Sequence, residues 1–197
     1  SGADALQPLE DLYPYRALHP QADPNIGQGI LRKYPIEANE YWEYAQLPQT
    51  LGHQRVEIQY ADDLMIVVYN IHPWPPLAWS TGYNDESHRL ALLDIIDRTD
   101  AETLPLILAG DFNMTDVFEE YEMLARRFTD SYRAAGVGPG YTFPNKGIIP
   151  FSLLRLDYIW HSDQFTSIDA QVWPRHGESD HSPVVSSLAI FRQDATP

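Results

Sequence analysis

Cysteine is absent from this sequence of 197 residues, so no disulfide bond can stabilise the fold. A chain of this length buries enough apolar surface to fold without disulfides or structural zinc. No linker or internal repeat divides it, and we therefore predict a single domain over residues 1–197. Apolar residues make up 44% and charged residues 21% of the chain, values that exclude a disordered or collagen-like protein.

Long apolar runs are also missing. The longest, residues 64–69, has the length of a strand and falls far short of the ~20 residues of a membrane span. The first residues, Ser1-Gly2-Ala3, lack the basic and then apolar pattern of a signal peptide. The compartment stays open, because the natural protein could begin earlier and carry a membrane anchor or secretion signal there.

Basic residues are few: 13 stand against 28 acidic residues, which gives a net charge of −15. Such a chain repels a phosphate backbone at long range and lacks the cations that non-specific nucleic-acid binding requires. An acidic protein can still act on a phosphate if a divalent cation lies between them.

The apolar pattern predicts a layered α/β protein. Residues 54–60 alternate between apolar and polar side chains and residues 64–71 are apolar almost throughout, so the two segments form a hairpin with a buried second strand. Helices are expected over 4–13, 84–99 and 116–127. Further strands are expected over 29–35, 104–109, 154–161, 167–173 and 183–191.

Four polar clusters lie at or beside the ends of these strands, at 70–72, 110–113, 155–158 and 179–182. Buried polar groups are costly unless they are paired, so a shared cleft would explain all four clusters together. Asp111 and Asn113 would share one face if their strand continued, where they could hold a cation or orient a water molecule. The same spacing is also typical of an ordinary turn.

The other clusters allow two interpretations each. His72 follows a buried strand and is either a structural group or a hydrogen-bond donor to a phosphate. Asp180 and His181 place an oxygen ligand for Mg²⁺ beside an imidazole, or simply begin a strand in solvent. Asp157, within an apolar strand, either orients an imidazole or pairs with Arg155.

The clusters together, in this chain order, resemble the endonuclease/exonuclease/phosphatase superfamily, which includes deoxyribonuclease I. The segments that carry the resemblance are LAGDFN at 108–113, RLDYI at 155–159 and SDHSPV at 179–184, with NIH at 70–72 and YTFP at 141–144. The resemblance implies a four-layered α-β-β-α sandwich of two mixed sheets. It also implies hydrolysis of a phosphoester, with Mg²⁺ or Mn²⁺ as cofactor.

The resemblance implies a role for each residue that matches a position of the family's motifs. Asp111 would align or deprotonate the attacking water, and Asn113 would hydrogen-bond a phosphate oxygen. His181 would stabilise the charge that develops on the phosphate while Asp157 holds its ring. His72 would donate to the phosphate or assist the leaving oxygen.

The resemblance also implies that Asp180 binds the metal directly or lies in its outer shell, and that Asp111 is a second metal-binding residue. The family normally begins with two strands, the first carrying an Asn and the second ending in Gln-Glu, and residues 1–197 lack both. We therefore expect weak metal affinity, and weak or no activity from these residues alone. We also expect an exposed sheet that favours self-association or a partner segment.

Two alternatives stay open. The acidic charge favours a phospholipid, a sphingolipid or a small phosphate ester over a nucleic acid, although a true nuclease is the rival within enzymes. The loop 72–80, with Trp74 and Trp79, could contact a membrane or substrate, or could pack on its own domain. The rival from another class is a non-catalytic binding module on the same scaffold.

Overall fold

The structure, a computed structural model, describes residues 6–21, 27–45, 47, 51–78, 82–83, 85–146, 151–173 and 179–191. Its strands are β1 Tyr15–His19, β2 Gln28–Arg32, β3 Ile36–Trp42, β4 His53–Ala61, β5 Leu64–Ile71, β6 Leu77–Ala78, β7 Gly82–Tyr83, β8 Leu106–Asp111, β9 Thr129–Asp130, β10 Asp157–His161, β11 Phe165–Val172 and β12 Val184–Ile190. Its helices are α1 Glu86–Asp100, α2 Glu119–Ala125 and α3 Ser131–Ala135, with a 3₁₀ turn at Gln7–Leu9. No helix in these ranges combines the length and the apolar content that a bilayer crossing requires.

The hairpin of β4 and β5 confirms the prediction from the apolar pattern. Val56 and Ile58 alternate with polar residues along β4, so the pleat of the strand turns both toward the same face, where they are buried. Their antiparallel partners on β5 are Val68 and Ile66. These cross-strand pairs fix the register, because a shift by one residue would expose the apolar set.

Six strands form one mixed sheet in the order β3-β4-β5-β8-β10-β9. β5 and β8 run parallel, and α1 lies between them in the chain, as a crossover between parallel strands requires. The other neighbouring strands are antiparallel. In the parallel register Ile71 pairs with Gly110, so β5 and β8 end at the same edge of the sheet.

One face of this sheet packs against helices. Leu92, Ile95 and Ile96 of α1 are at most 2% exposed and follow the i, i+3, i+4 spacing of a single helical stripe. They share an apolar cluster with Leu106 and Leu108 of β8. Each large apolar side chain that is fully buried contributes roughly 1.5–3 kcal/mol, so this cluster anchors the strands that carry the polar clusters.

A second β layer covers the opposite face. Val56, Ile58 and Ile66 form a second cluster there with Ala17 of β1 and Phe165 of β11. β1 contacts β3, β2 contacts β4 and β5, and β12 contacts β10, while α3 contacts β11. The predicted α/β class, with a mixed sheet layered between helices and further strands, is therefore confirmed.

The second β layer does not form the single mixed sheet that the family resemblance implies. Among the described residues it consists of two antiparallel pairs, β1–β2 and β11–β12. Ile107 and Ala109 of β8 face this layer and stay partly exposed, whereas Leu106 and Leu108 on the helical face are almost fully buried. A complete layer would bury a central strand on both faces, so the second layer is open above β8.

Several predicted elements differ from the structure. The helix expected over 4–13 is only a 3₁₀ turn within residues 6–13, where Pro8 removes a backbone donor. The helix expected over 116–127 begins later, at Glu119, because a turn from Thr115 to Phe118 precedes it. β1 and β3 were not predicted, because their polar and apolar residues do not alternate regularly. The predicted features at Ser1-Gly2-Ala3, Trp79 and Asn84 lie outside the described residues.

Candidate functional site

Three polar residues meet at the edge where β5 and β8 end. Asp111, the last residue of β8, is the antiparallel partner of Asp157, the first residue of β10. His72 directly follows Ile71, whose partner is Gly110. The sheet register therefore brings His72, Asp111 and Asp157 together from segments that are distant in the sequence, as the shared-cleft interpretation required.

A fourth segment brings His181 to the same edge. Its Nδ1 lies 2.7 Å from Oδ2 of Asp157. Because a carboxylate accepts hydrogen bonds, Nδ1 carries the proton and donates it. Arg155 pairs instead with Asp130, at 2.7 Å. The structure thus favours the first of the two interpretations of Asp157, in which it orients an imidazole.

Asp111 lies between the two imidazoles. Its Oδ2 is 3.6 Å from Nε2 of His72 and 3.8 Å from Nε2 of His181. Burial and the negative charge of Asp157 raise the pKa of Asp111 to about 7, although the positive charge of His181 partly offsets them. A carboxylate with a pKa near neutrality can accept a proton at physiological pH, which is what a general base requires.

The two histidines differ in charge. Burial and the positive charge of His181 together lower the pKa of His72 to about 4, so His72 is neutral at pH 7. Burial also lowers the pKa of His181, but the hydrogen bond and charge of Asp157, with the charges of Asp111 and Asp180, outweigh it and raise the pKa to about 9. The site therefore holds one neutral and one cationic imidazole.

Asn113 reaches the site through a turn and not by continuation of the strand. Its backbone is left-handed, with φ of 48°, and its N–H donates to Oδ1 of Asp111 at 2.9 Å. The turn interpretation of this spacing is therefore correct. The turn nevertheless holds Asn113 close to the site, since its Nδ2 donates to the carbonyl of Pro73, next to His72, at 3.0 Å.

The predicted metal ligands lie in two places. Asp111, Asp157 and His181 each offer one ligand atom, and these atoms lie within 4.8 Å of one another. Asp180 is exposed and is not part of that group, although its charge raises the pKa values of both Asp111 and His181. The role of Asp180 as a metal ligand stays a prediction.

The comparisons with known proteins agree with this geometry. A family model described as the endonuclease/exonuclease/phosphatase family matches residues 2–181. The chain belongs to this family. Members of the endonuclease/exonuclease/phosphatase family hydrolyse phosphoesters and generally use divalent metals. No curated protein matches the chain in sequence.

Solved structures of the family share the fold. The endonuclease/exonuclease/phosphatase of Bacteroides vulgatus is 18% identical, with a TM-score of 0.72 over 95% of this chain and 81% of that chain. The mannosyl-6-phosphatase of Bacteroides thetaiotaomicron is 17% identical, with a TM-score of 0.64 over 95% and 82%. The catalytic domain of human nocturnin is 19% identical, with a TM-score of 0.66 over 95% and 76%.

The site fits the divalent metal of the family. Asp111 is a partly buried carboxylate next to a second carboxylate, and its imidazole neighbours lie beyond hydrogen-bond distance. A cation at this position would offset the repulsion that raises its pKa. Carboxylate oxygens are also the ligands that Mg²⁺ and Mn²⁺ prefer.

Three supporting residues were not predicted from the sequence. His53 of β4 accepts the backbone N–H of His72 at Nδ1, at 3.2 Å. His88 of α1 donates from Nε2 to the carbonyl of Phe112, at 2.9 Å. Asn145 donates to the carbonyl of Ser179 at 3.0 Å and so anchors the segment of His181. Each is a single polar residue whose role depends on a distant partner, and no motif spacing could have shown it.

Proposed function

We propose that this protein hydrolyses a phosphoester with the help of a divalent cation. The observation that supports the proposal is the convergence of His72, Asp111, Asp157 and His181, from four segments, at one edge of the sheet. A carboxylate with a raised pKa, flanked by a neutral and a cationic imidazole, provides a proton acceptor and donors for a phosphate within one small volume.

The charges of these residues suggest which role each of them has in hydrolysis. Asp111 accepts the proton of the attacking water, because burial raises its pKa and makes it a stronger base than an ordinary aspartate. His181, protonated and held by Asp157, stabilises the negative charge that grows on the phosphate oxygens. His72 is neutral and donates a hydrogen bond to the phosphate or to the leaving oxygen, and Asn113 hydrogen-bonds another phosphate oxygen.

Asp111 and Asp180 would hold the divalent cation, Mg²⁺ or Mn²⁺. When bound, such an ion supplies positive charge to a phosphate that would otherwise approach a strongly acidic protein. With a net charge of −15, the chain has few basic residues to take over that role.

We further propose that two additional strands complete the second β layer, as the family resemblance implies. The partial exposure of Ile107 and Ala109 beneath the opening supports this. The site lies at the edge of the same opening, so residues 1–197 alone should bind metal weakly and show weak or no activity.

The substrate proposed is a phospholipid, a sphingolipid or a small phosphate ester. The acidic charge supports this choice, because a nuclease groove gains its affinity from Lys and Arg. Trp74 is only half-buried, but its indole Nε1 is buried, which favours the packing interpretation of the 72–78 segment over a membrane contact.

A substrate panel tests the proposal. Residues 1–197, and a longer chain that carries the two proposed additional strands, would be assayed with Mg²⁺ and Mn²⁺. The panel would comprise a chromogenic phosphodiester, a phosphomonoester, sphingomyelin vesicles, DNA and RNA. We expect metal-dependent hydrolysis by the longer chain, with vesicles or a small ester preferred. Metal-independent binding without turnover in both chains would favour the binding-module alternative, and preference for DNA or RNA would favour the nuclease.

A further inference from the structure

The structure has a cavity of about 420 Å³ that the proposed chemistry does not use. Its lining includes Thr115, which lies two residues after Asn113. The lining also includes Leu154, which forms an antiparallel bridge with Phe143. The ring of Phe143 packs against the imidazole of His181, with 5.0 Å between the two ring centroids. The cavity therefore adjoins the edge of the sheet at which the polar clusters meet.

Both arginines of the cavity wall are already neutralised. Arg155 is only 5% exposed, pairs with Asp130 at 2.7 Å, and lies over the ring of Tyr158, 4.5 Å from its centroid. Arg133 donates to the carboxylate of Asp116, which lines the same cavity. Neither guanidinium is therefore available to an anionic ligand, and a second phosphate or carboxylate in this cavity would meet the negative charge of Asp116.

The exposed part of the wall is largely apolar. Tyr141, Leu153 and Leu154 line the cavity and are 42–45% exposed, and Pro139 lines it as well. Val137, two residues before Pro139, is 91% exposed and adds to this apolar surface. Single exposed apolar residues are normal on a protein surface, but several of them around one concavity indicate a binding site.

The size of the cavity indicates what kind of ligand it takes. Pockets for small organic molecules have volumes of roughly 300–1,000 Å³, and this cavity falls within that range. A stable protein partner would bury roughly 800 Å² on each side, which is far more than a few partly exposed side chains provide. An apolar group of a small molecule, such as an aryl ring or a short alkyl chain, fits both the volume and the wall.

The charge of the wall decides between two kinds of phosphoester. A nucleic acid carries a further phosphate on each side of the one that reacts, and affinity for these phosphates comes from Lys and Arg. The wall next to the site provides no cation for them, since Arg133 and Arg155 are both paired. A lipid-like or aryl phosphoester carries an uncharged organic group in that place, which this wall accepts without a charge penalty.

We infer that this cavity is a subsite for an apolar group, an aryl ring or an alkyl chain, that is esterified to the scissile phosphate. The group lies against Tyr141, Leu153 and Leu154 while the phosphate lies at the catalytic edge. The assignment of this group to the substrate rests on the proposed function, but the binding of an apolar molecule in the cavity does not.

Titration of metal-free residues 1–197 with benzyl alcohol, followed by NMR, tests the cavity without any need for activity. We expect saturable shifts of the backbone amides of Thr115, Tyr141 and Leu154, and none with glycerol at the same concentrations. Leu153→Ser should weaken the binding of benzyl alcohol by roughly fivefold, because it removes apolar surface from the wall. Ile168→Ser, at an exposed apolar residue of β11 that does not line the cavity, is the matched control and should leave the affinity unchanged.

A series of dialkyl phosphates from ethyl to hexyl tests the role of the cavity in the reaction. In the longer chain, kcat/KM should rise by roughly two- to fourfold for each added methylene until the cavity is filled. Leu153→Ser should flatten this dependence, whereas Ile168→Ser should not.

The outcomes separate the subsite from the proposed function. Absence of saturable shifts with benzyl alcohol, equal shifts with glycerol, or a hydrolytic rate that does not depend on chain length would overturn the inference and leave the proposed function standing. Saturable binding of benzyl alcohol by a protein that hydrolyses no phosphoester would support the apolar site and reject the proposed function.

Discussion

At the residue scale, the candidate site depends on how the charges of two carboxylates and one imidazole influence one another. Asp157 binds His181 through a 2.7 Å hydrogen bond, and this contact raises the pKa of His181 although burial opposes it. The same carboxylate raises the pKa of Asp111. Asp157 therefore influences both the group that accepts a proton and the group that carries positive charge.

Replacement of Asp157 by Asn should keep the shape of the site but remove this charge. We expect kcat to fall by roughly 10²- to 10⁴-fold, as is usual when the partner that orients an active-site histidine is lost. Steady-state kinetics of the longer chain would measure the effect. The matched control is Asp169→Asn, an exposed aspartate on β11, which should leave kcat unchanged. An equal loss in both variants would show that Asp157 has no special role.

His53 should make the free energy of unfolding depend on pH. Burial and, to a smaller extent, the charge of His72 lower its pKa to about 3, whereas an unfolded chain has a histidine pKa near 6.5. Between these values the unfolded state binds a proton that the folded state does not. The contribution of His53 to the free energy of unfolding should therefore be greatest above pH ~6.5 and fall on acidification by up to about 1.4 kcal/mol per pH unit.

Urea unfolding of wild type and His53→Asn at several pH values would isolate this contribution. Asn keeps an acceptor for the N–H of His72 but does not titrate, so the variant should lose less stability than wild type between pH 6.5 and 4. His19→Asn is the control, since His19 is not fully buried. Parallel pH curves for wild type and His53→Asn would show that His53 is not held neutral by the fold.

At the scale of elements, the close approach of β5 and β8 positions the site. Gly110 has a φ of 143°, and a Cβ at that residue would lie 2.0 Å from the carbonyl oxygen of Ile71. Gly110→Ala would force the strands apart just where His72 and Asp111 leave them. We expect a loss of about 3 kcal/mol or more in the free energy of unfolding.

Gly138→Ala is the matched control for this prediction. Gly138 also has a positive φ, 88°, but an added Cβ there would meet nothing within 4 Å. It should cost only about 1–2 kcal/mol, the strain of a left-handed backbone alone. Thermal or urea unfolding of both variants gives the comparison, and equal losses would contradict the steric role of Gly110.

The sequence predicted those elements whose apolar pattern is strong. The β4–β5 hairpin and the strands that end at Asp111 and begin at Asp157 were all placed, because their apolar residues are buried on one or both faces. β3 lacks that pattern, since most of its residues are exposed. It is a strand because it pairs with β4 in the sheet.

The site was predictable in composition but not in geometry. Residue types and chain order indicated that His72, Asp111, Asp157 and His181 belong together. The family resemblance also led us to expect that Asp157 holds the ring of His181, but nothing in the sequence showed that Arg155 pairs with Asp130 or that His53 holds the backbone of His72. Such contacts depend on sheet register and on partners that are far apart in sequence.

At the scale of the whole molecule, the open second β layer has a consequence in solution. Ile107 and Ala109 of β8 face the second β layer, and both stay partly exposed. Exposed apolar surface and strand edges favour association. Residues 1–197 should therefore associate with rising concentration, whereas the longer chain should stay monomeric over the same range. Sedimentation velocity would measure both, and a strictly monomeric short chain would argue against an open layer.

The central claim is that distant segments act as one unit on one phosphorus atom. The most direct test is the rate of Mg²⁺-dependent phosphodiester hydrolysis by the longer chain and by its Asp111→Asn, His181→Asn and doubly substituted variants. Residues that act as a unit are strongly non-additive, so each single variant should lose roughly 10³-fold and the double variant hardly more. Losses that multiply in the double variant, or activity that survives Asp111→Asn, would contradict the claim.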